Sequence, residues 1–339
     1  MKIIICFGGI GSDYRPNMIF PATLSGILRG KEIRLDMLKQ FRKAARFGVI
    51  PVMLIPVALG ALGAFVWNGA FNVWLFLLTL VGAAAAHLFS NMINDLWDYK
   101  SGTDTAAKET VDAVSTNSGF LTNGIWSVHK FAAITWGLFA VAAVCGIVLA
   151  VCSGIWAFIF GALGGLIAYF YVAPPLKFGY RGKGYSEIAI LLSFGVLPVM
   201  GSYYVQTSHL DLRALLLSLP IGLLTTLVLF NHHFLHWQAD RQAGKRTLVV
   251  VWGERRALAF SRFLLLLAAV SLVVSVIAGA LPVYGLLALP AMLPLVQVYG
   301  KLKPSNASRA YLPLMGASLK STKLSGLVMI VCLFIQGLI

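Results

Sequence analysis

Long apolar segments separated by short polar ones dominate the chain from residue 47 to its end. Each segment holds roughly 18 to 25 predominantly apolar residues, enough for one helix to cross a hydrocarbon core about 30 Å thick. The segments lie at 47–67, 70–93, 130–152, 154–173, 187–206, 213–234, 259–280, 282–299 and 321–339. Helices satisfy their own backbone hydrogen bonds, so they can cross lipid in runs of this length. The predicted fold is all-α: a polytopic membrane protein, a bundle of about nine transmembrane helices.

Composition and charge agree with a membrane location. The chain is 59% hydrophobic and only 12% charged, too little charge for the surface of a soluble domain. Its net charge of +15 would suit a nucleic-acid-binding protein, but 26 of the 27 Lys and Arg fall on one side of the predicted membrane. By the positive-inside rule that side is cytoplasmic, so the charge reflects topology and contact with anionic lipid. We therefore expect a multi-pass protein of the inner (cytoplasmic) membrane, with lipid but no nucleic acid as a partner.

The chain before the first span differs in pattern. Residues 31–46 place apolar groups at roughly helical spacing among cations, which is typical of a helix lying on a membrane surface. We expect residues 1–46 to form a leader and an interfacial amphipathic helix, and residues 47–339 to form one transmembrane domain.

An acidic motif follows the second apolar segment, where residues 94–104 read NDLWDYKSGTD. Asn94 and Asp98 are four residues apart and share one face of a helix. Gly102 permits a turn that would bring Asp104 back toward them. Clustered carboxylates repel one another unless a cation neutralises them, and hard oxygen ligands suit Mg²⁺. The alternative is a solvated helix end with an Asp-rich turn.

A histidine-rich motif, NHHFLHWQADRQAGKRT, closes the sixth segment. His232, His236 and Asp240 recur at four-residue intervals, so in a helix they would line one stripe. Arg241 and Lys245 follow them. Histidines at this spacing could form a transition-metal site with the aspartate, or they could be amphipathic side chains at head-group level.

A cationic loop, YVAPPLKFGYRGKGYSE, follows the fourth segment and carries Lys177, Arg181 and Lys183. Its charge could be ordinary positive-inside charge, or it could bind a diphosphate. On this topology, all three motifs lie on the same side, at the mouth of an apolar bundle. Together they indicate a pocket for a molecule with a diphosphate head and a long hydrocarbon tail.

From about residue 43 to the end, the chain resembles the UbiA superfamily of intramembrane prenyltransferases. NDLWDYKSGTD looks like the first Asp-rich motif of that family, with the spacing of its menaquinone branch. YVAPPLKFGYRGKGYSE is similar to the loop whose lysine contacts the diphosphate, and ADRQAGKRTLVVVWG at 239–253 resembles the tail of the second Asp-rich motif. The resemblance implies Mg²⁺-dependent transfer of a polyprenyl chain from an allylic diphosphate to an aromatic acceptor. In the menaquinone branch that acceptor is 1,4-dihydroxy-2-naphthoate.

The resemblance also assigns roles to particular residues. The Mg²⁺ ligands would be Asn94, Asp98, Asp104 and Asp240, with His236 as a further ligand. The diphosphate contacts would be Lys177, Arg181, Arg241 and Lys245. The catalytic residues would be Asp95, Asp98 and Lys177.

The second motif departs from the family pattern, because His232 and His236 stand where the family usually has Asn and Asp. This departure keeps open a different acceptor, such as 4-hydroxybenzoate, or a metal-binding protein without catalysis. A transporter is a further alternative, but its ionisable groups are expected near the middle of the membrane. Here the acids lie at the ends of the predicted spans, which favours the enzyme.

Overall fold

A computed structural model describes residues 35–102 and 118–339, and every regular element in these residues is helical. The helices are α1 (35–44), α2 (Pro51–Asn68), α3 (Val73–Lys100), α4 (Val128–Ser153), α5 (Ile155–Phe170), α6 (Tyr185–Thr207), α7 (Leu212–His233), α8 (Trp237–Gln242), α9 (Leu248–Trp252), α10 (Glu254–Ile277), α11 (Leu293–Lys301) and α12 (Leu312–Leu338). The prediction of an all-α membrane bundle is confirmed.

Within the described residues, eight helical segments are long and apolar enough to cross a membrane. The shorter α5, with 16 residues, occupies the remaining predicted span. The span predicted at 282–299 is not one regular helix. It begins with 3₁₀ turns at Val283–Ala288 and Pro290–Met292 and continues as α11. Its prolines supply no backbone N–H, which favours short turns before the regular helix.

Polar caps and glycines set the ends of several spans. The Asn72 side chain accepts hydrogen bonds from the backbone N–H groups of Trp74 and Leu75 at the start of α3. Ser127 caps α4 in the same way through the N–H of Lys130. These side chains satisfy donors that have no partner within the helix. Gly154, at φ 107°, separates α4 from α5 in a conformation that residues with a Cβ rarely adopt.

Helix α7 lies at the centre of the bundle and packs against α2, α6, α10 and α12. Close helix contacts depend on residues without a side chain. A Cβ at Gly195 of α6 would lie 2.7 Å from the Gly222 Cα of α7. A Cβ at Gly60 of α2 would lie 2.1 Å from the Val199 carbonyl oxygen of α6. Small residues at such contacts are typical of helix packing in membranes, where backbones approach closely.

One end of the bundle carries the two exceptions to the charge asymmetry. Asp211 caps α7, accepts from the Arg213 N–H at 2.8 Å and pairs with the Arg213 guanidinium at 2.6 Å. The guanidinium lies 4.8 Å from the Trp67 ring centroid. Hydrogen bonds from Arg213 hold the pKa of Asp211 below its ordinary value. The opposite ends of α3 and α7 carry the acidic and histidine motifs.

The chain divides into two compact units between Arg42 and Lys43, and the transmembrane bundle lies in the second. Residues 35–44 are helical, within the range predicted for the interfacial helix. In the first unit, Gln40 Nε2 donates to Asp36 Oδ2 at 3.1 Å across one helical turn. The predicted leader at 1–34 lies outside the described residues.

Candidate active site

The acidic motif occupies the last two turns of α3, which continues through it to Lys100. The chain then turns at Gly102, at φ 78°, where a turn was predicted. Asn94 and Asp98 lie on one helical face, and Asp98 is partly exposed at the end of the bundle. Asp104 lies outside the described residues. The structure therefore positions two of the three predicted ligands of this motif.

Asp95 faces a different set of partners from Asp98. It is 4% exposed and forms an ion pair with Arg46, which precedes α2. Its second oxygen accepts a hydrogen bond from the Ser118 N–H at 2.9 Å. Both carboxylate oxygens are thus engaged with protein groups. This arrangement supports a positioning role for Asp95, which ties α3 to the segments before α2 and before α4.

The cationic loop between α5 and α6 reaches the acidic motif through Tyr180. The Tyr180 hydroxyl donates a hydrogen bond to Asp98 Oδ1. Lys177 adopts a left-handed backbone conformation, at φ 45°, and places its Nζ 5.6 Å from the Tyr180 ring centroid. Arg181 is exposed, and its Nη2 donates to the Pro175 carbonyl at 2.9 Å. Of the loop's predicted diphosphate contacts, Lys177 lies nearer the acidic motif, while Arg181 bonds within its own loop.

The four-residue spacing of the histidine motif predicts one continuous helix, but the structure shows a break within it. α7 ends at His233, a turn covers 234–236, and α8 begins at Trp237. The side chains nevertheless stay in line. The His232 and His236 ring centroids are 4.7 Å apart, and His236 Nε2 lies 3.7 Å from Asp240 Oδ2. A hydrogen bond from the Asp240 N–H to the His236 carbonyl, at 2.9 Å, closes the first turn of α8 and keeps the step from His236 to Asp240.

The segment after α8 joins the two motifs. Lys245 Nζ lies 3.8 Å from Asp240 Oδ1 and 5.1 Å from the Tyr180 ring centroid. The Arg246 N–H donates to the Tyr180 carbonyl at 3.0 Å. Arg241 is exposed on α8. Asp98, Lys177 and Lys245, one from each sequence motif, therefore meet around Tyr180 at one end of the apolar bundle.

Comparison with known proteins places the chain in a family. The model of the UbiA prenyltransferase family matches residues 53–335. The chain belongs to the UbiA prenyltransferase family. The 1,4-dihydroxy-2-naphthoate octaprenyltransferase of Mycobacterium leprae is 31% identical, over 75% of this chain and 83% of that protein. The enzyme of the same name from Escherichia coli is 27% identical, over 90% of this chain and 98% of that protein.

Solved structures share the UbiA fold. A UbiA homologue from Archaeoglobus fulgidus, bound to GPP and Mg²⁺, superposes with a TM-score of 0.62. It is 17% identical to this chain, and the match covers 86% of this chain and 99% of that one. The predicted family and the predicted prenyltransferase class are confirmed.

The polar groups of this UbiA site shift one another's ionisation. Burial raises the pKa of the Asp240 carboxyl to about 6, with Lys245 opposing the shift and Asp98 adding to it. Burial by itself would lower the pKa of Lys245, but the facing carboxylates of Asp240 and Asp98 hold it above its ordinary value. Burial and the Lys245 cation lower the pKa of His236 well below its ordinary value, so its imidazole is neutral near pH 7. A cation and neutral imidazoles therefore adjoin the carboxylates.

The donor atoms of the site are compared with Mg²⁺, the ion bound by the Archaeoglobus fulgidus homologue. Asn94 Oδ1 and Asp240 Oδ2 are buried acceptors without a hydrogen-bond partner, one from each motif. Buried polar atoms without a partner are costly, and a bound cation would satisfy them. The described residues contain no group of three or more Asp, Glu, His or Cys arranged to hold a metal by themselves. Mg²⁺ commonly combines one or two carboxylates with phosphate oxygens of the substrate, so the protein need not supply every ligand.

Several residues around the site were not singled out from the sequence. Tyr171 is buried at the end of α5, in a cluster with Val172 and Ala189. Tyr180 packs against this cluster, so Tyr171 lies next to the UbiA site. No spacing rule selects Tyr171, because it lies outside the predicted acidic and cationic positions.

His87 is the second such residue, on the α3 face that carries Asn94 and Asp98. Asn91 Nδ2 donates to the Ala45 carbonyl at 3.1 Å and lies 3.4 Å from His87 Nε2. The Asn91 amide is therefore the donor, His87 Nε2 accepts, and the imidazole proton resides on Nδ1. His87 is 5% exposed, and its Nδ1 has no hydrogen-bond partner. Helical spacing from Asn94 would have identified this histidine.

Proposed function

We propose that this chain transfers a polyprenyl group from an allylic diphosphate to 1,4-dihydroxy-2-naphthoate, as in menaquinone biosynthesis. One observation carries the proposal: Asp98, Lys177 and Lys245 contact Tyr180 at the mouth of an apolar helix bundle, and Asp240 pairs with Lys245 there. Curated relatives that cover most of the chain are dihydroxynaphthoate octaprenyltransferases, which supports this acceptor.

The metal would be Mg²⁺. Its proposed ligands are Asn94, Asp98, Asp104, His236 and Asp240, and Asp104 lies outside the described residues. When bound, the ion neutralises the charge that the departing diphosphate acquires. The unpartnered oxygens of Asn94 and Asp240 support this assignment.

The lysines and the arginines are proposed to have different roles toward the diphosphate. Lys177 and Lys245 lie beside the Tyr180 ring and would contact the diphosphate oxygens directly. Arg181 and Arg241 are exposed, so they would attract the anionic substrate to the mouth of the site. Lys177 and Asp98 remain the proposed catalytic residues, whereas the contacts of Asp95 favour positioning.

The reaction divides between the polar mouth and the apolar bundle. The allylic C–O bond breaks, and the diphosphate leaves with the electron pair beside Lys177 and Lys245. An electron-rich ring carbon of the acceptor then bonds to the allylic carbon, and the ring loses its carboxyl group as CO₂. Apolar helix walls exclude the water that would otherwise capture the allylic cation.

We propose that the acceptor ring lies deeper in the bundle than the diphosphate. His87 is seven residues before Asn94 on α3, which places it about 10 Å further along the helix axis. Its unpartnered Nδ1–H could donate to an oxygen of the acceptor ring.

We propose that the site faces the cytoplasm from the inner membrane. The proposal follows from the 26 Lys and Arg assigned to one side of the predicted topology. The helix at 35–44 falls within the segment proposed to lie on that membrane surface.

The test is prenyl transfer by purified membranes with Mg²⁺, a radiolabelled long-chain prenyl diphosphate and a panel of aromatic acceptors. We expect labelled product with 1,4-dihydroxy-2-naphthoate, and we expect chelation to abolish it. Asp98→Asn should abolish the product, whereas Asp211→Asn should retain it. The second variant is a matched acid-to-amide change, because asparagine still caps α7 at the opposite end.

Other results would revise the proposal in defined ways. Product with another acceptor only, such as 4-hydroxybenzoate, would retain the prenyltransferase and reject the naphthoate assignment. Metal or diphosphate binding without product from any acceptor would favour a non-catalytic protein on this fold. Full activity of Asp98→Asn would reject the site.

A further inference from the structure

Tyr180 holds the charged groups of the site together, although it is itself uncharged. Its hydroxyl donates to Asp98 Oδ1. The ring centroid lies 5.6 Å from Lys177 Nζ and 5.1 Å from Lys245 Nζ. Both distances fall within the range of a cation–π contact. One side chain therefore contacts a proposed metal ligand and both proposed diphosphate contacts.

The backbone around Tyr180 is held from two directions. Its N–H donates to the Lys177 carbonyl at 2.9 Å, and its carbonyl accepts from the Arg246 N–H at 3.0 Å. Next to it, a Cβ at Gly182 would lie 2.8 Å from the Arg246 carbonyl oxygen, so the two loops touch backbone to backbone. The position of the ring is therefore set by both loops that carry the lysines.

An aromatic ring suits this position better than a carboxylate would. A carboxylate between the lysines would neutralise them, whereas a ring attracts an ammonium group weakly and leaves its charge available to an anion. The phenol donates to Asp98 without adding negative charge. Partners that orient a metal ligand in this way tune metal affinity.

We propose that Tyr180 is a positioning residue for the metal and the diphosphate. Its hydroxyl orients the Asp98 carboxylate toward the ion, and its ring holds Lys177 and Lys245 at the spacing that receives one diphosphate. This inference rests on the proposed function for the identity of the ligands. Tyr180 is assigned no part in bond making or breaking.

Two substitutions separate the hydroxyl from the ring. Tyr180→Phe removes the hydrogen bond to Asp98 and keeps the ring, whereas Tyr180→Leu removes both. Tyr185→Phe is the matched control, because Tyr185 follows in the same segment and is 47% exposed. The purified full chain would be titrated with Mn²⁺ by electron paramagnetic resonance, and with inorganic diphosphate in Mg²⁺ by calorimetry.

We expect Tyr180→Phe to weaken Mn²⁺ binding by about tenfold and to affect inorganic diphosphate binding much less. Tyr180→Leu should weaken the binding of both, and Tyr185→Phe should change neither. In prenyl transfer, Tyr180→Phe should raise the Mg²⁺ concentration for half-maximal rate while kcat at saturating Mg²⁺ is retained.

Unchanged affinities for Mn²⁺ and diphosphate in both Tyr180 variants would overturn the proposal, even if the melting temperatures of the variants fall. A failure of the proposed function can be distinguished from a failure of this inference about Tyr180. If the unsubstituted chain binds Mn²⁺ and diphosphate but prenylates no acceptor, the function is wrong. Weaker Mn²⁺ binding by Tyr180→Phe would then still establish the positioning role.

Discussion

At the scale of single residues, neighbouring carboxylates of one motif have different surroundings. Asp95 is buried, with Arg46 and the Ser118 N–H on its two oxygens. Asp98 lies one turn further along α3 at the mouth of the bundle, where Tyr180 donates to it. The sequence predicted catalytic roles for both. The contacts distinguish them: Asp95 is held by protein groups on both oxygens, whereas Asp98 is partly exposed and is the one that we propose as a metal ligand.

The first prediction concerns Asp95. Asp95→Asn should lower the free energy of unfolding by about 2 kcal/mol, because a hydrogen bond to a charged group is lost at a largely buried site. Thermal melting of the detergent-solubilised chain measures this change, and prenyl transfer per folded molecule should fall far less than in Asp98→Asn. An Asp95→Asn variant with normal melting and no activity would instead support direct catalysis.

The second prediction concerns His236. Its Nε2 lies 3.7 Å from Asp240 Oδ2, a separation that one ion could bridge. Aspartate is a harder ligand than imidazole, so His236→Asp should raise the affinity for Mg²⁺ relative to Mn²⁺ by about tenfold. Half-saturating concentrations of the two ions in the transfer assay measure this ratio.

The control for His236 is His129→Asp, because His129 is exposed in the first turn of α4. Aspartate is favourable near a helix N-terminus, so the His129→Asp variant should keep its fold. If the ratio of half-saturating Mg²⁺ and Mn²⁺ concentrations is identical in the two variants, His236 is not a metal ligand.

At the scale of helices, contacts between small residues decide how the bundle closes. The approach of α2 to α6 depends on Gly60, and that of α6 to α7 on Gly195 and Gly222. Gly195 lies in a π-helical segment of α6, Leu192–Val196, which is a local change of helix geometry. Apolar periodicity predicts that these helices exist. It does not predict which glycines face a neighbouring backbone.

The third prediction tests one of these contacts. Gly60→Ala should destabilise the chain by about 1–3 kcal/mol, because the added methyl group would overlap the Val199 carbonyl. Gly146→Ala in α4 is the control, since nothing lies within 4 Å of its added Cβ. Melting temperatures of the two variants in the same detergent measure the difference. Equal melting temperatures would mean that α2 and α6 are not packed this closely.

At the scale of the whole molecule, charge and polarity are distributed between the two ends of the bundle. Arg213 and Asp211, the cation and acid that the predicted topology assigns to the side with few charges, pair with each other at 2.6 Å. The described members of the proposed diphosphate contacts and metal ligands lie toward the opposite ends of α3 and α7. The pairing explains how an isolated arginine is accommodated on the side with few charges, since its charge is balanced locally.

The fourth prediction is the orientation of the bundle. Val283→Cys, at a position 72% exposed, should react with a membrane-impermeant maleimide in intact cells. Lys303→Cys, which is exposed at the site end, should react only after the membrane is permeabilised. Labelling is compared with the unsubstituted chain, which contains four cysteines of its own. The reverse pattern would place the site outside the cytoplasm.

The sequence by itself determined the class of fold, the spans and the three motifs. Segments of this length and polarity can be buried in lipid only as helices, so the apolar pattern leaves little choice. The acidic pattern of Asn94 and Asp98, and the loop with Lys177, depend on local spacing, and for that reason they could be recognised without a structure. The four-residue step from His232 to His236 also persisted, although the helix breaks between them.

Only the tertiary structure decided which side chains meet. Tyr180 lies between Lys177 and Lys245 because two loops that are far apart in sequence meet there. Its hydrogen bond to Asp98 joins the first of these loops to α3. The ion pair of Asp95 with Arg46 likewise joins α3 to the turn that precedes α2. Local periodicity fixes the face on which a residue lies, but the partner opposite that face is set by how the helices pack.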